Sequence, residues 1–186
     1  MNKHSFKDGN GPVPAHRHPN GGGWVADTAS VADTAYVGRN AVVFGEAEVR
    51  GNAKVFGFAK VFDHAMVFDN AVVFGNARVY DNATVYDNAK VSGHAVVSGN
   101  TEVYGDASIY GKAWVFGKAW VFDNAVVSGN TEVYGDARVF GKALVYDKAL
   151  VFDNATVYDN AKVYGDARVF GKARIFGKAW VSGWQC

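Results

Sequence analysis

Small and apolar residues recur along this chain with a strict period of six. A small residue occupies every sixth position from Ala29 to Ala179, giving 26 consecutive hexads in which only Thr101 and Thr131 replace alanine. Val or Ile follows two positions later, and the next position is Phe or Tyr in 19 of the 26 hexads. Gly or Asp comes next in every hexad except the one with Arg39, followed by a variable, mostly polar residue. The position between the small residue and the valine, here called the open position, follows no rule.

This period predicts short strands joined by corners. An amphipathic helix needs apolar residues three and four apart, whereas the alanine and the valine of each hexad are two apart and share one face of a strand. The Gly, Asp and Asn residues that follow favour turns. Because a hexad leaves no room for a hairpin return, the chain is expected to wind in one sense. Three hexads, about 18 residues, then close a triangular coil, and coils stack about 4.8 Å apart.

The stretch "AKVFGFAKVFDHA" at 53–65 resembles the hexapeptide repeat of left-handed β-helix proteins, in which a small residue stands four positions after an aliphatic one. The resemblance covers residues 29–182 and is strongest to the simple, mostly uncharacterised Gly-Asn-Ala-x-Val repeat proteins of bacteria and phages. It implies an all-β fold, a single left-handed parallel β-helix over 25–186. The left hand comes from the resemblance alone, since the general crossover rule predicts the opposite.

Residues 1–24 contain all three prolines and no hexad. We expect them to form an irregular N-terminal cap or arm, which would cover one of the unpaired strand edges at the end of the solenoid. The chain of 186 residues carries a net charge of +1, so no bulk attraction to nucleic acid or to an anionic membrane is expected. The one cysteine, Cys186, rules out an internal disulfide framework. With no signal-peptide pattern, a soluble cytoplasmic protein is expected, in the host cytoplasm if phage-encoded.

The histidines are the main candidates for chemistry. Many hexapeptide-repeat proteins are acyltransferases that use a histidine between subunits, and some are γ-class carbonic anhydrases, so the resemblance directs attention to His64 and His94. Both stand at the variable corner position and are expected to be solvated turn residues. His16 and His18, joined by His4, are weak candidates for a metal site. We therefore predict no catalytic residue, no metal and no cofactor.

Two pairs of aspartates are three hexads apart and should therefore stack between coils: Asp63 with Asp81, and Asp69 with Asp87. Paired carboxylates can bind a cation or act as acid and base. Because they stand where glycine is common, a role in the turn is the preferred interpretation.

The outward aromatic residues are expected to stack between coils and so stabilise the solenoid. Large apolar residues in the open position are less easily explained, and such residues usually mark contacts. Val126 and Leu144 should lie on one face, with aromatic residues along its edges. The predicted interface comprises Trp114, Trp120, Phe122, Val126, Phe140, Leu144, Tyr146 and Leu150.

These observations favour a non-catalytic, rigid β-solenoid that acts by protein–protein contact or self-assembly, as a homo-oligomer (dimer or trimer) or with another protein. Two alternatives stay open. One is an acyltransferase-like enzyme with a site between subunits, and the other is a phage or prophage counter-defence protein that binds a host protein or a small nucleotide ligand.

Overall fold

The computed structural model describes residues 2–185, in which it contains β-strands and no helix. Three longer strands come first: β1 Lys3–Ser5, β2 Pro12–Arg17 and β3 Trp24–Ala26. The remaining strands have two residues each, and up to β29 each consists of the open position and its valine or isoleucine. They are β4 Ser30–Val31, β5 Tyr36–Val37, β6 Val42–Val43, β7 Glu48–Val49, β8 Lys54–Val55, β9 Lys60–Val61, β10 Met66–Val67, β11 Val72–Val73, β12 Arg78–Val79, β13 Thr84–Val85, β14 Lys90–Val91, β15 Val96–Val97, β16 Glu102–Val103, β17 Ser108–Ile109, β18 Trp114–Val115, β19 Trp120–Val121, β20 Val126–Val127, β21 Glu132–Val133, β22 Arg138–Val139, β23 Leu144–Val145, β24 Leu150–Val151, β25 Thr156–Val157, β26 Lys162–Val163, β27 Arg168–Val169, β28 Arg174–Ile175, β29 Trp180–Val181 and β30 Trp184–Gln185.

From β3 onward, every third strand belongs to the same sheet and pairs in parallel, so three sheets form the sides of a solenoid. The first sheet has 12 strands and runs β1-β2-β3-β6 and onward by threes to β30. The second has nine strands from β4 to β28, and the third has nine from β5 to β29. Partners in adjacent coils are three hexads apart, as for Met66 and Thr84. The predicted all-β solenoid with three hexads per coil is confirmed.

The core of the solenoid is built from the two inward positions of each hexad. Between Ala35 and Val169 every alanine and every valine or isoleucine at these positions is fully buried, and so are Thr101 and Thr131. Backbone hydrogen bonds repeat from coil to coil, for example from the Lys54 N–H to the Ala71 carbonyl at 2.9 Å. The interior is therefore a narrow column of methyl groups, which explains why the sequence varies so little there.

The corners explain the alternation of glycine and aspartate. Eight aspartates at this position have φ between 56° and 66°, in the left-handed region that glycine adopts most readily. Six of their carboxylates accept a hydrogen bond from the N–H of the glycine one coil further on, as Asp81 does from Gly99 at 3.0 Å. Aspartate therefore forms the turn and also links successive coils.

The outward rings stack as expected. Seven rings follow one another without a gap at the corner after the second sheet, from Phe68 to Phe176, with centroids 4.7–5.4 Å apart. Each good pair of this kind contributes about 0.5–1.5 kcal/mol beyond the burial of its area. Most of the outward aromatic surface is thus used within the chain.

The N-terminal segment is more regular than its sequence indicated. Strands β1 and β2 form an antiparallel hairpin, and β2 pairs with β3 to extend the first sheet. Phe6 stacks on Phe44 with ring centroids 4.9 Å apart. In the first coil, Ala26 stands at the corner position where Phe44 and Phe62 stand in the next two coils. The hairpin therefore supplies, from outside the repeat, the ring that the first coil lacks.

The same segment also covers the edge of the third sheet. The Val37 N–H donates to the Asn20 carbonyl at 3.0 Å, and the Gly23 N–H donates to the Val37 carbonyl at 2.9 Å. The Asn20 amide donates to the Ala35 carbonyl at 2.9 Å. The segment thus covers two of the three sheet edges at this end of the solenoid, and β4 is the edge strand of the second sheet.

Candidate interaction sites

Val126 and Leu144, at the centre of the predicted interface, are direct partners on the third sheet. Both side chains are half-buried, so each keeps an outward apolar surface. Phe122 and Phe140 stack 4.7 Å apart at the corner before this face. Tyr146 stands at the corner after it. The structure therefore brings these five residues together around one face.

The other three predicted interface residues lie on different faces. Trp114 and Leu150 belong to the first sheet, where Glu132 separates them. Trp120 belongs to the second sheet, and its ring lies 5.1 Å from the Arg138 guanidinium. The eight residues therefore do not form one patch, and a contact made through a single face involves the Val126 group alone.

A depression of about 300 Å³ adjoins Val126 and Leu144. It is lined by Tyr110, Val126, Ser128, Gly129, Leu144, Tyr146 and Asp147. Ser128 occupies a corner position where a ring is usual, one coil from Tyr110 and one coil from Tyr146. The two tyrosines are two coils apart, which is about 9.6 Å. The space between their rings therefore has the thickness of one aromatic ring. We call this depression the Ser128 notch. In the sequence, the only mark of this notch is a serine at a corner position where a ring is usual, and the predicted interface did not include it.

A larger cleft of about 570 Å³ lies between the N-terminal hairpin and the first coils. It is lined by Phe6, Asp8, Asn10, Val13, Pro14, Ala26, Asp27, Thr28, Phe44, Gly45, Phe62 and Asp63. We call it the N-terminal cleft. The repeat pattern does not predict this cleft, because the cleft exists only where the hairpin packs on the solenoid, outside the periodic part of the sequence.

The polar groups of this cleft are acidic. Asp8 accepts a hydrogen bond from the Asn10 N–H at 3.1 Å, which lowers the pKa of its carboxyl group. Lys60 adds a smaller lowering of the same pKa. The Asp27 carboxylate is paired with the His16 ring at 2.9 Å. No lysine or arginine is among the residues that line the cleft.

The N-terminal histidines do not converge on one point. His16 is exposed beside Asp27, whereas His18 is 2% exposed and its Nδ1 lies 3.1 Å from the Asn20 carbonyl oxygen. His4 stacks on Trp24 at 4.4 Å, and its burial lowers the pKa of its ring. Within residues 2–185, no group of three or more His, Cys, Asp or Glu side chains is placed to hold a metal ion.

The two histidines within the array are exposed corner residues. The Nδ1 of His64 lies 3.4 Å from a carboxylate oxygen of Glu46, which stands one coil earlier at the same corner. Asp63 and Asp81 lie beside His64 in an open groove along this corner. His94 stands at the third-sheet corner, between Asn76 and Lys112. This part of the chain offers shallow grooves, and no loop leaves the coils between β4 and β29.

The fold and these surfaces define a parallel β-solenoid protein. A family model described as the YdcK beta solenoid repeat matches residues 77–91. No curated protein and no solved structure matches the chain. In the part of the chain that the structure describes, there is no helix long and apolar enough to cross a membrane.

Proposed function

We propose that this protein is a non-catalytic β-solenoid that works by self-association and forms a homodimer through its third sheet. The observation that carries the proposal is the Ser128 notch next to the outward apolar pair Val126 and Leu144. Anchors of a protein interface are typically apolar or aromatic side chains that enter such pockets. A notch of one ring's thickness between two tyrosines fits an aromatic side chain of a partner.

The order of residues along the third sheet favours an antiparallel pair of solenoids. A two-fold axis between the levels of Val126 and Leu144 places Val126 of each subunit against Leu144 of the partner subunit. One coil further from the axis, Ser108 of one subunit faces Lys162 of the partner subunit. One coil beyond that, Lys90 faces Trp180 of the partner subunit. At the centre of this arrangement, apolar residues thus meet apolar residues. The indole ring that Lys90 faces already carries Lys162 of its own chain at 4.4 Å, so the central apolar pairs are what favours the arrangement.

The same two-fold axis supplies the occupant of the notch. Tyr146 belongs to the coil of Leu144, and Ser128 belongs to the coil of Val126. The axis exchanges these two levels, so Tyr146 of the partner subunit lies opposite Ser128. Its ring, which stacks on Tyr164 within its own chain, would cover the gap above Ser128 from the partner's side, and an aromatic contact of this kind contributes about 0.5–1.5 kcal/mol. The dimer contains this contact twice.

A parallel arrangement, such as a three-fold assembly with aligned axes, places equal levels together. Lys54, Lys90 and Lys162 would then each face their own copies on the same sheet. Like charges placed opposite one another are destabilising. We therefore propose a dimer in preference to a trimer.

The test of self-association compares two valines of the same sheet. We expect light scattering to show a dimer, and Val126→Lys to weaken it by about 10-fold or more, since two half-buried valines each lose about half of the 1.5–3 kcal/mol that full burial of such a side chain is worth. Val72→Lys is the matched control. Val72 is an equally half-buried valine in the same position of its hexad, but it lies three coils from Val126, outside the apolar pair. A monomeric protein, or equal weakening by both variants, would show that the self-association proposal is wrong.

The orientation can be measured separately with a spin label at Lys54→Cys in a Cys186→Ser background. In the antiparallel dimer the two labels are nine coils apart, which is about 43 Å along the axis. In a parallel assembly they lie at the same level, within about 20 Å of one another, since packed sheets are close. A short distance would overturn the antiparallel arrangement while leaving self-association intact.

A further inference from the structure

We propose that the N-terminal cleft binds a small organic cation: an ammonium or guanidinium group carried on an aromatic or aliphatic body. The cleft has the volume of a ligand site, an apolar floor and acidic walls. This site lies in the first coils, far along the chain from Val126, so the proposal does not depend on the dimer.

The floor of the cleft is built from stacked rings. Phe6 and Phe44 are almost fully buried, and Phe62 continues the stack at 4.8 Å from Phe44. Val13 packs against this cluster from the hairpin. An apolar body laid over these groups is removed from water, which is worth about 25 cal/mol per Å² of apolar surface. The floor therefore selects a ligand with a hydrophobic part and gives no reason to prefer one charge over another.

The walls of the cleft determine the charge of the ligand. Asp8, Asp27 and Asp63 line it, and no lysine or arginine does. Of the three, Asp27 is paired with His16 and Asp8 is close enough to Lys60 to be affected by its charge, so Asp63 offers the strongest attraction to a cation. A cation within about 4 Å of a carboxylate is attracted strongly near a protein surface. The same field disfavours anions such as acyl-CoA and nucleotides.

The cleft is formed before any ligand arrives. Its hairpin wall is held by the pairing of β2 with β3 and by the Asp27 N–H, which donates to the Pro14 carbonyl at 3.0 Å. On the solenoid side, the Thr28 hydroxyl donates to the Gly45 carbonyl of the next coil. A preformed site loses little free energy to ordering when it binds. Even a small ligand should therefore bind measurably.

The first experiment compares three probes that have similar shapes and different charges. Amide NMR on the full chain monitors their binding. Phenethylammonium should bind saturably in the low millimolar range, as its few heavy atoms allow, and should shift the resonances of Phe6, Thr28 and Gly45. Uncharged 2-phenylethanol should bind about ten-fold more weakly, and 3-phenylpropanoate should not bind. Added salt should weaken the binding of phenethylammonium. Equal binding of the cation and the alcohol, or no saturable binding of the cation, would overturn the proposal.

The second experiment removes one wall charge. Asp63→Asn should weaken phenethylammonium binding by about three- to ten-fold, since asparagine tolerates the φ of 57° at this position. Asp69→Asn is the matched control. Asp69 has a φ of 58°, lies beneath Gly51 as Asp63 lies beneath Gly45, and stands outside the cleft. Asp8→Asn is a second variant, in case Asp63→Asn disturbs the fold. Unchanged affinity in a folded Asp63→Asn or Asp8→Asn protein, or equal weakening by Asp69→Asn, would show that the cleft is not the site.

Discussion

Two threonines inside the solenoid provide a direct measurement of one buried hydrogen bond. Thr101 and Thr131 occupy inward positions where the other hexads have alanine, and both are 0% exposed. The Thr101 hydroxyl donates to the Ser98 carbonyl at 2.7 Å. The Thr131 hydroxyl has no hydrogen-bond partner among the described residues. Replacing each by valine exchanges the hydroxyl for a methyl group and changes the shape of the side chain very little.

The two substitutions should change stability in opposite directions. At Thr131, valine removes an unsatisfied buried hydroxyl, whose desolvation costs about 1–3 kcal/mol, so Thr131→Val should stabilise the protein. At Thr101, valine removes a hydrogen bond worth about 0.5–1.5 kcal/mol and leaves the Ser98 carbonyl without this donor. The gain from burying a methyl group is shared by both variants and cancels in their comparison. Because the two effects have opposite signs, they add in the comparison, and we expect Thr131→Val to be more stable than Thr101→Val by about 1.5–4.5 kcal/mol.

The assay is guanidinium unfolding, followed by circular dichroism and by tryptophan fluorescence. The two threonines lie in identical stretches of sequence, 96–107 and 126–137, so differences in local propensity are absent. Equal changes in the two variants would mean that Thr131 makes the same bond to the Ser128 carbonyl in solution. A lower free energy of unfolding for Thr131→Val than for the unchanged protein would also contradict this prediction. The site around residue 131 would then favour a hydroxyl over a methyl group.

The remaining predictions concern the corners and the stacked rings. Gly141→Ala should cost more than Gly165→Ala by about 1 kcal/mol or more: both have a left-handed φ, but a Cβ at Gly141 would lie 2.8 Å from the Asp159 backbone nitrogen, whereas one at Gly165 meets nothing within 4 Å. Unfolding midpoints measure this difference, and equal midpoints would contradict the close approach. Burial and the neighbouring Glu102 raise the pKa of Tyr86 to about 12. Because the folded state holds this proton more tightly, its contribution to stability is complete below about pH 10 and is lost as the pH rises to about 12. Tyr86→Phe should flatten this part of the stability profile, and an unchanged profile would contradict the assigned pKa.

The repeat made most of the fold predictable. One hexad specifies two inward side chains, a corner that needs a left-handed residue and an outward ring. Because each neighbour is three hexads away, the register then follows for every coil. Val126 and Leu144 were placed together on this basis, and the ring stack through Phe122 and Phe140 was expected for the same reason. A period of this kind carries long-range information that an ordinary sequence lacks.

The N-terminal segment shows where that information ends. Phe6 reaches the stack above Phe44 through a hairpin, and Asn20 covers the edge of β5 with its backbone and its side chain. These contacts join unlike segments, so no repeated pattern fixes their register. The sequence did contain one clue, since Ala26 stands where later coils have a ring. A missing ring at the first coil is a place that another segment can fill.

The identical stretches at 96–107 and 126–137 show that position in the coil determines what a surface residue can do. They are five hexads apart, which is one and two-thirds coils, so they lie on different sheets. Val96 lies on the first sheet between Arg78 and Trp114, whereas Val126 lies on the third sheet between Ser108 and Leu144. The same stretch therefore gives a valine between an arginine and a tryptophan in one place and half of an aliphatic pair in the other. It follows that Val96→Lys should leave self-association unchanged in light scattering, although the chain around the two valines is the same from the preceding alanine onward. Dissociation by Val96→Lys would contradict an interface confined to the third sheet.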